Sequence, residues 1–421
     1  MPGRYLMVLP VPAFPGPDGT FEIESAFAEH LRMLRSMLGP LARTMIIAAP
    51  ELSVEERAAA GPLARLDEAR DGIGFRPMFR ANLGRAAYLR QLPRVLAALR
   101  GEVRKADIVH ASNSPLYRPF EFPALMLASL LGKKTISVTD IDHRRSARMN
   151  LDTGRWSAKE YWITRFLHDP FTHLQQTIGV RRCSLVLLKG RSLVEDYGRG
   201  RPNVKHFLDS AFGAEHIIPA GRLEEKVRAT LSSQTEVEVV YFLRLVEYKG
   251  VDEMLRAVRH ALDLGARLRF EIVGSGPADA ALRALTRELR LESVVAFIGA
   301  VPFGPALFDR LYGAHILLAA PLSEDTPRSA LDACAMGLGI VAYDTSYYRE
   351  LADLGGPVEI VPWRDVSALG HRLWELDAER PRLAALLRQS AAFAPPNTQQ
   401  AWLEKRVAWT RALFEEAGRD G

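Results

Sequence analysis

Cysteine is nearly absent: the 421 residues hold only Cys183 and Cys334. They lie far apart in apolar stretches and match no metal-ligand spacing. That argues against a disulfide framework or a zinc site, and for buried free thiols in a reducing compartment. No stretch approaches the roughly 18 uninterrupted apolar residues of a membrane span. The opening MPGRYLMVLPVPAFPG has one arginine and a short apolar run broken by prolines, whereas a secretory leader needs a longer apolar region and a small-residue cleavage site. The expected location is cytoplasmic, with peripheral contact at the inner face of the membrane left open. Internal repeats and low-complexity tracts are missing too. The basic residues lack interleaved stacking aromatics, and no nucleic-acid-binding module is recognisable, so nucleic acid is not an expected partner.

What is present is ordinary globular composition, 48% hydrophobic and 25% charged, in a chain long enough for two domains. Charge is uneven: residues 1–200 carry a net +9 and residues 201–421 a net −4. Much of the excess lies in residues 76–105, with Arg76, Arg80, Arg85, Arg90, Arg94, Arg100, Arg104 and Lys105 against Glu102 alone. Apolar residues recur between them at roughly helical spacing. The segment reads as a basic amphipathic helix, suited either to an anionic membrane surface or acceptor or simply to packing on its own domain.

Short apolar, β-branched runs alternate with longer helical patterns. In the first half they are Tyr5–Val11, Thr44–Ala48, Asp107–Ala111, Thr135–Thr139 and Ser184–Leu188. In the second half they are Val237–Leu243, Arg269–Val273, Val294–Ile298, Ile316–Ala319, Ile340–Tyr343 and Val358–Val361. Unbroken apolar runs between helices mean strands buried on both faces, hence parallel, doubly wound α/β sheets. The domains are expected at residues 1–219 and 220–395, with a final helical stretch over 396–421 packing back across their junction.

Three stretches of the second half carry the chemistry. Arg244 and Lys249 stand on the strand-to-helix loop that ends at Gly250, at the carboxyl edge of a parallel sheet, where ligands bind in open α/β folds. Two cations there suit a diphosphate. Val273-Gly274-Ser275-Gly276-Pro277 is a glycine-rich turn after the next strand. Finally, Pro321–Gly337 leaves a strand, passes Glu324, and becomes a helix that contains Asp332. Its loop and helix N-terminus offer free N–H groups to phosphate or sugar oxygens. Acids at that separation can accept hydrogen bonds from hydroxyls at two ends of one extended ligand.

In this order and spacing, Arg-x4-Lys-Gly, Val-Gly-x-Gly-Pro, Phe297-Ile298-Gly299 and Glu-x7-Asp resemble the retaining GT-B glycosyltransferases of the glycosyl transferases group 1 family. The resemblance covers residues 237–350 well. It implies two Rossmann-like domains facing a cleft, and a sugar moved from a nucleoside diphosphate sugar, UDP- or GDP-linked, to a glycan, lipid-linked or small-molecule acceptor. It implies no metal and no other cofactor. Arg244 and Lys249 would hold the donor diphosphate, Glu324 the hydroxyls of the transferred sugar, and Asp332 the ribose. Gly276 and the loop residues Asp325, Thr326, Pro327 and Arg328 would lie beside the donor. In the first half, a glycine-bearing loop around Gly16 and Gly19 would face the donor phosphates, and Asp140 or His143 would stand near the reacting carbon. The family reacts on one face of the sugar, with the leaving phosphate assisting deprotonation of the acceptor.

The sequence departs from the family at two places. Asp332 is one methylene shorter than the usual Glu. Asp325-Thr326 replaces the usual Gly-Phe, and Arg328 stands where an apolar residue is common. An arginine beside the sugar would favour an acidic one. Asp140-Ile141-Asp142 also has the DxD form that binds a divalent metal in another glycosyltransferase class, although cations of the other half already serve the diphosphate. A nucleotide-sugar epimerase on the same scaffold, or a non-catalytic sugar-nucleotide-binding protein, are the competing readings.

Overall fold

The computed structural model describes residues 3–60, 62–141, 143–232 and 235–415. The first of its two parallel sheets contains β1 (Arg4–Val8), β2 (Thr44–Glu51), β3 (Ile73–Arg80), β4 (Ile108–Ala111), β5 (Lys134–Thr139), β6 (Leu185–Lys189) and β7 (Val204–Phe207). Their order is β3-β2-β1-β4-β5-β6-β7. The second contains β8 (Val237–Phe242), β9 (Leu268–Val273), β10 (Val295–Gly299), β11 (Ile316–Ala319), β12 (Gly339–Tyr343) and β13 (Val358–Val361), in the order β10-β9-β8-β11-β12-β13. Every pairing in both is parallel. All residues of β6, β11 and β12 are buried, which is why these strands read as continuous apolar runs.

Both orders are doubly wound and reverse direction once, between β1 and β4 and between β8 and β11. Loops leaving two strands in opposite directions open a crevice at that point. The crevice of the first sheet is bounded by Leu9–Val11 and Ser112–Asn113, that of the second by Leu243–Gly250 and Ala320–Pro327. The sequence motifs therefore sit where the topology makes a ligand site.

The helices that matter to the site are α1 (Ser25–Leu38), α2 (Arg85–Lys105), α3 (His143–Asp152), α4 (Val251–Asp263), α5 (Arg328–Ala335), α6 (Ser346–Asp353) and α7 (Gln399–Glu415). The last follows the second sheet but packs on the first half. Trp402, Leu403 and Val407 join one buried cluster with Leu31 and Leu34 of α1. The Arg411 guanidinium donates to the Met37 carbonyl at 2.7 Å. The GT-B arrangement expected from the motifs is thus the one observed.

Two expectations are corrected. Residues 76–105 are not one helix: Arg76 and Arg80 lie on the edge strand β3, and only Arg85–Lys105 is helical. Pro77 in β3 offers no N–H to a ladder, and the strand pairs on one side only, with β2. The segment around Gly16 and Gly19 is a hairpin rather than a phosphate-facing loop. Phe14–Pro15 pairs with Thr20–Glu24, which pairs in turn with Leu63–Asp67. That pairing carries Gly19 (φ +76°) to an exposed tip, away from the crevice.

Candidate active site

The donor side is built at the β8/β11 switch. Gly250 ends the first loop with φ +65°, and a Cβ there would stand 2.0 Å from the Ala320 carbonyl oxygen. Only glycine lets the two switch-point loops meet so closely. The glycine turn after β9 is pressed on the same loop: Cβ atoms at Gly274 and Gly276 would lie 2.0 Å and 2.1 Å from the carbonyl oxygens of Leu243 and Leu245. The Leu245 N–H donates to the Ser275 carbonyl at 3.0 Å. These contacts fix the backbone between Arg244 and Lys249. Arg244 is exposed, whereas Lys249 is buried. The Lys249 ammonium makes an ion pair with Asp325, one of the two residues that replace the family's Gly-Phe. An anion that reaches Lys249 must therefore share or displace that carboxylate.

Glu324, beside it, is anchored on the start of α6. Its carboxylate accepts from the Ser346 hydroxyl at 2.5 Å and from the Ser346 N–H at 3.3 Å. Thr326 and Glu324 also touch the first domain. The Thr326 hydroxyl donates to the Asp140 carbonyl, and the Ser146 hydroxyl to the Glu324 carbonyl, each at 3.5 Å. The Arg364 guanidinium donates to the Asp152 carbonyl at 2.9 Å. The cleft is closed over these loops.

Asp332 takes a different place from the one the resemblance implies. It is 6% exposed, and its carboxylate accepts from the Ala211 N–H at 3.0 Å, on the linker after β7. One methylene shorter than Glu, the carboxyl is turned to the linker. Burial pushes it up from 3.8 to about 7. Folded Asp332 thus keeps its proton over a range in which the unfolded residue has lost it, so stability falls as pH rises from about 4 to about 7. Asp332→Asn can still accept from Ala211 and removes this cost. We expect it to melt with the parent protein at pH 4 and about 5 °C above it at pH 8, with UDP affinity unchanged; thermal unfolding across that range checks this.

On the other side of the cleft, two cavities share Asn113, Ile141 and Thr172 as a common wall. One, of about 440 Å³, lies under the β1/β4 switch and is lined by Leu9, His30, His110, Asp140, Arg328 and Arg406 among others. Its neighbour, of about 630 Å³, is lined by Ser146, Arg155, Trp156, Tyr248, Glu324 and Asp325. Asp140, at the end of β5, and Glu324, on the facing loop, both line a further small pocket. None of residues 14–22 lines either cavity. His143 begins α3, but its side chain and the whole of Asp142 lie outside the described residues, and with them the second half of the DxD form.

Sequence reasoning missed several cleft residues. Gln176, buried on the helix Asp169–Arg182, accepts from Asn113 Nδ2 at 2.7 Å and from the Thr139 hydroxyl at 2.8 Å, tying the ends of β4 and β5 together. His110 Nδ1 is 2.8 Å from the Tyr5 hydroxyl. Burial pushes His110 down to about 3 and His30 to about 4, so both are neutral imidazoles at pH 7. Their signal was a histidine at the end of a buried strand and another on an amphipathic helix, patterns that core residues share.

Comparison with known proteins fits this geometry. Residues 224–387 match the family described as glycosyl transferases group 1. Over 152 residues the chain is 29% identical to an Escherichia coli protein named as a candidate colanic acid biosynthesis glycosyltransferase, WcaL, covering 35% of this chain and 37% of that one. Over 160 residues it is 29% identical to the D-inositol 3-phosphate glycosyltransferase of Corynebacterium aurimucosum, covering 36% and 38%. The alignments thus span little more than a third of these relatives. Among solved structures, HepE of Anabaena in complex with UDP-glucose superposes with a TM-score of 0.62 at 14% identity, covering 97% of this chain and 99% of that one. Sucrose-phosphate synthase of Thermosynechococcus elongatus superposes with a TM-score of 0.65 at 11% identity, covering 99% and 100%. At those identities the likeness is one of fold.

Proposed function

We propose, from the premise that the chain belongs through residues 224–387 to the glycosyl transferases group 1 family, that it moves a sugar from a nucleoside diphosphate sugar to an acceptor hydroxyl with the anomeric configuration retained. The observation that carries this reading is the placement of Arg244, Lys249 and Glu324 on loops of the β8/β11 switch, with Glu324 sharing a pocket with Asp140 of the first domain. The two cations and the loop N–H groups before α5 stabilise the charge that grows on the departing diphosphate, work that needs no metal in this scheme. Glu324 holds hydroxyls of the transferred sugar. The bond from C1 to the β-phosphate oxygen breaks while the acceptor oxygen bonds C1 on the same face. The acceptor proton passes to the departing phosphate.

UDP is the nucleotide we favour, because HepE, of the same fold, has been seen in complex with UDP and with UDP-glucose. The acceptor binds the basic first half, and closure keeps water from the donor. Helix α2, whose Leu89 and Leu96 are exposed among arginines, is the surface for a glycan or membrane-borne acceptor. Among the described residues no helix is long and apolar enough to cross a membrane.

Thermal stabilisation by UDP, GDP, dTDP and ADP in EDTA tests the donor reading. One nucleotide is expected to raise the melting temperature without added metal. A shift that appears only with Mg²⁺ would favour Asp140 and Asp142 as a metal site instead.

A further inference from the structure

The 440 Å³ cavity is lined by two guanidinium groups, neither ion-paired to a carboxylate among the described residues, although Arg328 acts through space on the buried Asp332. Arg328 enters it from the first turn of α5, and Arg406 from the middle of α7, with its guanidinium 5.4 Å from the Phe207 ring centre. Neither side chain makes a hydrogen bond or ion pair among the described residues, although most arginines of the second half do. The acids that share the cavity are Glu24, Asp140 and Asp209. Glu24 is committed to capping α1, accepting from the N–H groups of Ala26 and Phe27 at 3.2 Å and 2.9 Å. Asp209 lies 3.9 Å from the Lys189 ammonium, and Asp140 stands at the side toward Glu324. The remaining polar wall is His30, His110, Ser112, Asn113, Thr139 and Thr172, all neutral hydrogen-bonding groups.

We propose that this cavity binds an anionic group, phosphate or carboxylate, carried by the sugar acceptor, with Arg328 and Arg406 as its two claws. The proposal rests on the glycosyltransferase reading and names the acceptor's chemical class. Two guanidiniums in a partly enclosed space favour a bidentate oxyanion over a neutral hydroxyl. The cavity takes most of its wall from the first domain, and Asp140 connects it to the reacting region. Lys249 lines neither this cavity nor its neighbour, so the diphosphate has its own cations. Arg328 belongs to the second domain and Arg406 to the crossing helix, so an anion gripped by both also holds the cleft shut.

The test is calorimetric titration of the full chain with glucose 6-phosphate, glucuronate and glucose, each with saturating UDP and without it. The anionic sugars are expected to bind about tenfold or more tighter than glucose, with UDP present or absent. Arg328→Gln and Arg406→Gln should each reduce that preference severalfold, and the double variant should abolish it. Arg328→Gln is expected to melt with the parent protein, because its side chain has no hydrogen bond or ion pair to lose, whereas Arg406→Gln also gives up its contact on the Phe207 ring and should melt slightly lower. Equal binding of charged and neutral sugars, or a preference that survives in the double variant, overturns the site. Displacement of glucose 6-phosphate by UDP overturns it too, by placing the anion among the diphosphate cations. A preference for UDP-glucuronate over UDP-glucose that the double variant loses overturns the assignment to the acceptor. If UDP fails to bind while the sugar-phosphate preference persists, the donor reading fails and the anion site stands.

Discussion

Glu324→Gln is expected to lower the rate of sugar transfer at least about a hundredfold while UDP affinity stays within about threefold. The amide can keep the bond to the Ser346 hydroxyl, so the loop before α5 should hold its place. What disappears is the negative charge offered to hydroxyls of the transferred sugar as positive charge develops at its anomeric carbon. One charge-assisted contact aimed at a reacting sugar is worth about 3 kcal/mol, which is the hundredfold. Initial rates at saturating donor, together with calorimetric titration of UDP, separate the two effects. A variant as fast as the parent would remove Glu324 from the reaction. One that loses UDP binding instead would make it a nucleotide contact.

The paired change Arg244→Ala with Lys249→Ala should weaken UDP binding at least about a hundredfold. Each charged hydrogen bond to phosphate contributes about 1.5–3 kcal/mol, and two are removed. The single changes should differ. Arg244 is exposed, and its loss should leave the fold unaltered. Lys249 is buried against Asp325, so Lys249→Ala strands a carboxylate and should also cost stability. Melting temperatures of the two single variants, read beside their UDP affinities, check that asymmetry. Unchanged UDP affinity in the double variant would move the diphosphate elsewhere.

The strands that the sequence disclosed most plainly are those buried on both faces. Leu185–Lys189, Ile316–Ala319 and Gly339–Tyr343 carry no solvent-facing side chain, and their composition has no reading but a covered strand. Strands β3 and β7 escaped because polar and charged residues break their apolar runs, mixing Arg with Phe or His with Val, whereas the edge strands β10 and β13 stayed legible. The basic residues of β3 and α2 merged into one apparent helix, because apolar residues of an edge strand and of a helix can follow each other at compatible spacing.

At the site, Arg244, Lys249 and Glu324 drew notice through the order and spacing of motifs that resemble the family's, and Gly250 and Gly274 through the tight loops at the switch point. The glycines in particular are dictated by carbonyl oxygens about 2 Å from where a Cβ would stand. The inward turn of Asp332 was hidden, since its partner Ala211 lies 121 residues away on the linker. The pairing of Lys249 with Asp325 spans 76 residues and likewise depends on how two loops pack. Arg406 had no signal at all. It is one charge on a helix whose destination, across the junction on α1, only the fold reveals.

The most direct test of the whole account is the stereochemistry of the product. The chain, with EDTA and UDP-glucose labelled at C1, is incubated with phosphorylated and neutral sugar acceptors, and the anomeric proton of the product is read by NMR. The account predicts an α-linked product from the α-linked donor, formed without added metal. A β-linked product, or transfer that begins only when a divalent cation is supplied, would contradict it.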